Sequence, residues 1–148
     1  WYAAKGEPRW DGDELWTTMG EIYKGGMWFK KKSVLKAEGH YNTQKSADGI
    51  TDLRIIKKYY DKTPSEALPA VTDINNYFYL PNLGSYRYGQ FFIAAWGGGF
   101  YWSSSADPKS GNTAYRLQFN YHGNGVVVDI YDRDGGLFAQ PFSDFGDN

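Results

Sequence analysis

Ala114-Tyr115-Arg116-Leu117-Gln118-Phe119-Asn120-Tyr121, followed by Gly123-Asn124-Gly125 and then Val126-Val127-Val128, is the stretch whose reading decides the fold. Tyr115, Leu117, Phe119 and Tyr121 recur at every second position, with Arg116, Gln118 and Asn120 between them. That period belongs to a strand, because successive side chains of an extended backbone leave on opposite faces. The Gly-Asn-Gly run supplies a turn, so Ala114–Tyr121 is expected to pair antiparallel with Val126–Tyr131. Tyr115, Leu117, Phe119, Val126 and Val128 then face a core. Arg116, Gln118, Asn120, Val127 and Asp129 project outward together.

Outward from this hairpin the same grammar continues. Asp134-Gly135-Gly136 marks a further turn before Leu137 to Phe142. Tyr101-Trp102-Ser103-Ser104-Ser105 reads as a strand running into a polar loop, and Tyr77-Phe78-Tyr79-Leu80 as an aromatic strand stopped by Pro81. Met27-Trp28-Phe29 predicts a buried strand entered through Gly25-Gly26. Asp11 to Met19 predicts a short helix, with Asp11 or Asp13 as N-cap and Gly20 as stop. Lys36 to Pro69 lacks clean periodicity and reads mostly as loop, with Leu53 to Tyr60 open between strand and helix. Neither internal repeats nor low-complexity linkers divide the chain, so residues 1–148 are expected to form one domain. The start at Trp1, without Met, suggests a piece of a longer or processed precursor.

Composition narrows the function. The chain has 28 aromatic residues against 20 Leu, Ile and Val, so rings must fill the core, meet a ligand, or do both. A formal net charge of −1, from 16 basic and 17 acidic residues, lacks the positive field of a nucleic-acid binder. Lys30-Lys31-Lys32 reads as a solvated loop or an edge-strand guard. With no cysteine, disulfides, thiolate nucleophiles and zinc-thiolate sites are excluded. No apolar run approaches the length of a membrane span and no signal peptide is present, so direct membrane insertion is not expected.

Several of these segments form an ordered series that resembles a family. Tyr79-Leu80-Pro81, Gly84-Ser85-Tyr86-Arg87, Tyr101-Trp102-Ser103-Ser104-Ser105, Ala114-Tyr115 with Leu117 and Phe119, and Gly125-Val126 with Val128 and Arg133 are similar to C-type-lectin-like domains. These domains close the surface lipoproteins and fimbrillin-type pilus proteins of gut Bacteroidales. Trp1-Tyr2-Ala3 and Tyr23-Lys24-Gly25-Gly26-Met27-Trp28-Phe29 resemble the same subgroup. The resemblance implies an α+β, C-type-lectin-like fold of the formylglycine-generating-enzyme type, with a small antiparallel sheet and long loops. It also implies an extracellular adhesin at the outer membrane or pilus tip, with upstream fimbrillin-like domains and a protein or glycan ligand. Some relatives are variable proteins of diversity-generating retroelements. Phe92, Ile93, Ala95, Phe100, Arg116, Asn120, Asp129, Ile130, Tyr131, Asp132 and Asp134 fall within the residue set that adenine mutagenesis of Asn codons reaches; Trp96 and Gln118 fall outside it.

The departures are informative. Glu7-Pro8 is followed by Arg9 and Trp102 by Ser103, so the calcium-ligating motifs of calcium-dependent lectins are broken. Aligning Asp132-Arg133-Asp134-Gly135 on an EF-hand loop puts Ile130 and Pro141 at ligand positions, so no metal or other cofactor is expected. The sulfatase-activating oxidases of this superfamily rely on cysteines that are absent here. His40 and His122 stand apart, and Ser103 to Ser105 lack a nucleophile elbow. Adjacent Asp13 and Glu14 cannot flank a glycosidic bond. No catalytic group stands out, and the chain is read as a non-enzyme. Ligand binding is assigned to Phe92, Ile93, Ala95, Trp96 and Phe100 of the Gly-rich aromatic stretch, whose triple glycine is too pliable for a regular strand. Arg116, Gln118, Asn120 and Asp129 of the outward face join them, bordered by Tyr131, Asp132, Asp134 and Phe138. Phe91 is expected in the core.

Overall fold

A computed structural model describes residues 1–92, 98–120 and 125–139. In chain order its elements are α1 (Tyr2–Lys5), β1 (Arg9–Thr18), β2 (Glu21–Lys30), α2 (Lys32–Ala37), β3 (Tyr60–Lys62), a single 3-10 turn (Ile74–Asn76), β4 (Tyr77–Pro81), β5 (Ser85–Arg87), β6 (Gln90–Phe92), β7 (Gly98–Ala106), β8 (Thr113–Asn120) and β9 (Val126–Asp132). They form three sheets, ordered β1-β2-β4, β3-β9-β8-β7 and β5-β6, and every named strand pairing is antiparallel. The α+β expectation is therefore overturned. The chain is a small β-rich domain whose α-helices among the described residues are two short turns of four and six residues.

The predicted helix at Asp11–Met19 is where the expectation fails most clearly. Those residues lie in β1 and pair with β2, with a register shift between Asp11 and Leu15. At the shift the Asp11 carboxylate accepts hydrogen bonds from the amides of Asp13 and Glu14, at 3.1 and 3.0 Å. A helix N-cap residue makes the same local bonds. Here they close a β-bulge, and the Trp28 indole donates to the other carboxylate oxygen at 3.0 Å. The Gly20 stop is likewise a hairpin turn, with Met19 and Gly20 both at positive φ.

The strands named from alternation are present. β8 pairs with β9 through Leu117↔Val128 and Phe119↔Val126, and Tyr115, Leu117, Phe119 and Val126 are buried. Met27 and Phe29 of β2 and Leu80 of β4 join Tyr101, Leu117, Phe119 and Val126 in one cluster, so the first two sheets share a core. Phe119 stacks on Tyr101 and meets Phe29 across it. The segment from Lys36 to Pro69, read as mostly loop, holds only the end of α2 and then no regular element until β3 opens at Tyr60.

The glycine run corrects a second expectation. Gly98 and Gly99 are regular residues of β7, paired with Asn120 and Phe119. The Phe119 ring lies across Gly99, where a Cβ would come within 2.2 Å of the ring carbon. Glycine serves close packing here: the ring covers backbone that a side chain would displace.

The connection from α2 to β3 is fastened by carboxylates. Asp48 gathers Thr51, the Ile50 amide and the Lys58 ammonium, while the shielded Asp107 pairs with Lys57 at 2.7 Å. Burial works to raise the Asp107 pKa, but Lys57, the Thr113 hydroxyl and the Lys109 amide outweigh it and hold the carboxyl at about 2.

Two outcomes are expected. Gly99→Ala should destabilise the domain by about 1–3 kcal/mol by overpacking. Adding Phe119→Leu to that variant should cost less than Phe119→Leu alone, a non-additivity that a double-mutant cycle in denaturant measures. A carboxyl whose pKa is depressed by folding contributes stability above about pH 4 that is lost as the pH falls toward about 2. Asp107→Asn is therefore expected to lower stability at neutral pH and flatten the acid limb of the stability curve, read from urea melts across that window.

Candidate functional site

The site begins with the outward face of the β3-β9-β8-β7 sheet. Register places Phe100, Gln118 and Val127 in one row across β7, β8 and β9, and Trp102, Arg116 and Asp129 in the next. Ala114 and Tyr131 follow. Arg116 points outward as the alternation requires, yet it is 8% exposed rather than open to solvent. Its guanidinium clamps Asp129 through Nε–Oδ1 at 2.7 Å and Nη2–Oδ2 at 3.2 Å. It also lies 4.0 Å from the Tyr131 ring centroid and 5.8 Å from that of Phe100. A planar cation satisfied by a carboxylate can be covered by rings at little cost, which explains how an outward Arg becomes buried.

A second guanidinium approaches the same ring: Arg87 lies 4.8 Å from the Tyr131 centroid. It comes from the β5–β6 hairpin, which is fixed to the large sheet on two sides. The Gly84 amide donates to Gly98, and Tyr86 exchanges two backbone hydrogen bonds with Gly136. Phe138 bridges to Tyr101 along the outer edge of β7, with the Trp102 amide donating to its carbonyl. Edge backbone groups of β7 are thus partly paired.

Between this hairpin and β7 opens a pocket of about 310 Å³, lined by Ser85, Arg87, Tyr88, Phe92, Phe100 and adjoining glycine backbone. Tyr88 and Gly89 form the hairpin turn at φ 50° and 73°, and Tyr88 is 99% exposed. A left-handed tyrosine costs backbone energy that asparagine or glycine largely avoids. The Tyr86 hydroxyl donates to the Gly89 carbonyl and stiffens the turn. Phe92, 41% exposed, stands on the opposite strand. The buried Nε of Arg87 has no hydrogen-bond partner.

Of the residues assigned from sequence, Phe92 and Phe100 meet in this pocket, while Arg116, Asp129 and Tyr131 form the adjoining clamp. Gln118 and Asn120 are half-buried on the same outward side of β8, and Asp132, the last residue of β9, and Asp134 just beyond it are exposed. Phe138 is half-buried and packs on Phe91 and Tyr101 against the core. Phe91 is half-buried, between Tyr86 and Phe138. Ile93, Ala95 and Trp96 lie outside the described residues. Arg87, Tyr88 and Ser85 escaped the sequence reading. A two-residue turn between Arg87 and Gln90 was the available signal, disguised because Tyr-Gly stands where Asn-Gly is usual.

A larger cleft of about 460 Å³ lies among Glu7, Arg9, Lys30, Glu38 and Tyr77. Its two cations are paired with carboxylates: Lys30 reaches both Glu7 and Glu38 at 2.6 Å, and Arg9 and Tyr77 also bond Glu7. The Arg9 Nε is buried without a hydrogen-bond partner, as is that of Arg87, but Arg9 has a carboxylate beside it; we place the candidate site in the smaller pocket, which has exposed rings and, among the described residues, an arginine without an ion pair. Among the described residues no group of three or more His, Asp or Glu is placed to hold a metal ion, and no helix is long and apolar enough to cross a membrane. Comparison with known proteins identifies no relative: no family model, curated protein or solved structure matches the chain.

The turn geometry predicts a stabilising variant at the site itself. Tyr88→Asn should raise stability by up to about 1 kcal/mol, because Asn tolerates the left-handed conformation and no packing is lost. Thermal and denaturant melts measure it; a loss of stability would show that the ring contributes to the fold.

Proposed function

We propose that this chain is a non-catalytic binding domain, displayed outside the cell as part of a bacterial surface or pilus-tip adhesin. It captures a protein or glycan through the β5–β6 hairpin and the outward face of β7–β9. The observation that carries the reading is Tyr88, a fully exposed ring held in a costly backbone conformation at the mouth of a ring-lined pocket. Conformational cost without folding benefit points to a use outside the fold. Rings on a rigid hairpin offer contact area with little entropy left to lose, which suits recognition.

Among the described residues of this face, the acids are not arranged as a pair for an enzymatic reading. The carboxylates near the face are spread apart: Asp129 is held by Arg116, while Asp132 and Asp134 stand in solvent. A second reading, a structural domain that packs on a neighbour, draws on the β1–β2 hairpin tip. Leu15, Met19 and Ile22 there are 67%, 75% and 71% exposed.

A screen against glycans and extracellular proteins, run with and without EDTA, separates the two. Binding is expected to survive EDTA and to be lost in a Tyr88→Asn/Phe92→Ser double variant that melts no lower than the parent. Polar substitution of Leu15, Met19 and Ile22 is expected to leave it intact. Capture that follows the hairpin tip instead, or that chelator abolishes and calcium restores, contradicts the proposal.

A further inference from the structure

We infer that the pocket between the β5–β6 hairpin and β7 recognises a carboxylated sugar, with Arg87 as the partner of its carboxylate. The inference rests on the binding role proposed above and deepens it. Its starting point is a comparison of two arginines on one ring. Arg116 and Arg87 both lie over Tyr131, at 4.0 and 4.8 Å. Arg116 has a carboxylate in bidentate contact. Among the described residues Arg87 has no ion pair, and its Nε is buried without any acceptor. Asp132 and Asp134, the nearby exposed acids of the β9 end, are not paired with it.

A guanidinium at the wall of a pocket with no ion pair calls for an anion, and a carboxylate is the acceptor its fork fits best. The walls decide what carries that carboxylate. Tyr88, Phe92 and Phe100 present ring surface around the cavity, and Ser85 adds a hydroxyl. Rings that pack on the C–H face of a pyranose, a hydroxyl for its polar edge and a cation for its acid group are the complement of a uronic or sialic acid residue. At about 310 Å³ the space lies at the small end of ligand pockets, suited to one or two sugar units. An acidic peptide would need an extended groove with unpaired backbone, whereas the edge of β7 beside this pocket is engaged by Gly84 and Phe138.

The test titrates the intact chain with galacturonate, glucuronate and N-acetylneuraminate, beside galactose, the methyl esters of the same acids and a short Asp/Glu peptide, by calorimetry or NMR. At least one acid is expected to bind at micromolar to millimolar concentration, with affinity falling as salt is raised. Its ester should bind about tenfold more weakly or worse, a loss matching removal of charge-assisted hydrogen bonds. Arg87→Gln should cost a similar factor and Arg87→Lys less. Tyr88→Asn, stable by its turn geometry, should also weaken the acid. Esters that bind as well as acids, an Arg87→Gln chain with unchanged affinity, or no acid binding at millimolar concentration overturns the inference. Equal or tighter binding of the peptide overturns the sugar assignment. If a neutral glycan or a protein binds this face independently of Arg87, the inference fails while the adhesin reading stands; if capture maps to the β1–β2 tip, both fail.

Discussion

The contact between the Phe119 ring and the Gly99 backbone holds this structure in register. Phe119 sits at the centre of the shared core, touching Tyr101 and Phe29, and its ring fits only because β7 has no side chain at that point. With the two strands locked there, Phe100 and Gly98 are carried to the outward side and the mouth of the pocket. The β5–β6 hairpin then docks through Gly84 on Gly98. Core packing and ligand geometry are two faces of the same strand pair. A slip of one residue would exchange them, because the side-chain period is two.

On the outward face, electrostatics take over from the hydrophobic term. Arg116, Asp129 and Tyr131 form a satisfied clamp that leaves little charge available, whereas Arg87, over the same ring, has no ion pair among the described residues. This division closes the face where it touches the sheet and leaves a cation without an ion pair at its rim. On this face strain falls at the same rim: Tyr88 pays a backbone cost on a two-residue turn that its neighbours stiffen. Side chains there can change without disturbing the core, the arrangement expected of a surface whose partners vary.

Much of the fold's second half was legible in the sequence, because alternation in Ala114–Tyr121 and the following valines is a period-two signal with one reading. In the first half the Met27-Trp28-Phe29 strand was foreseen, but the segment before it was misread for a definite physical reason. An aspartate that caps two following amides looks alike at a helix start and at a β-bulge, and what separates them is the partner strand, here β2 with Trp28. The α+β expectation fell with that helix. Gly98-Gly99 was misjudged because the need for glycine arises from a ring twenty residues away rather than from local flexibility. Of the site, the outward orientation of the β8 and β9 residues was foreseen, but not the burial of Arg116, which depends on two rings and an acid from other strands. Arg87 and Tyr88 were missed since their turn departs from the usual Asn-Gly chemistry.

The central claim is that recognition occurs at the rim of the β5–β6 hairpin and the outward face beside it. Hydrogen exchange of the chain with and without a captured ligand tests this most directly, since it reads protection segment by segment without altering a residue. The account expects new protection across residues 84–92 and 98–102, with no change at the β1–β2 turn around Met19 and Gly20. Protection confined to that turn, with the hairpin unaffected, would contradict it.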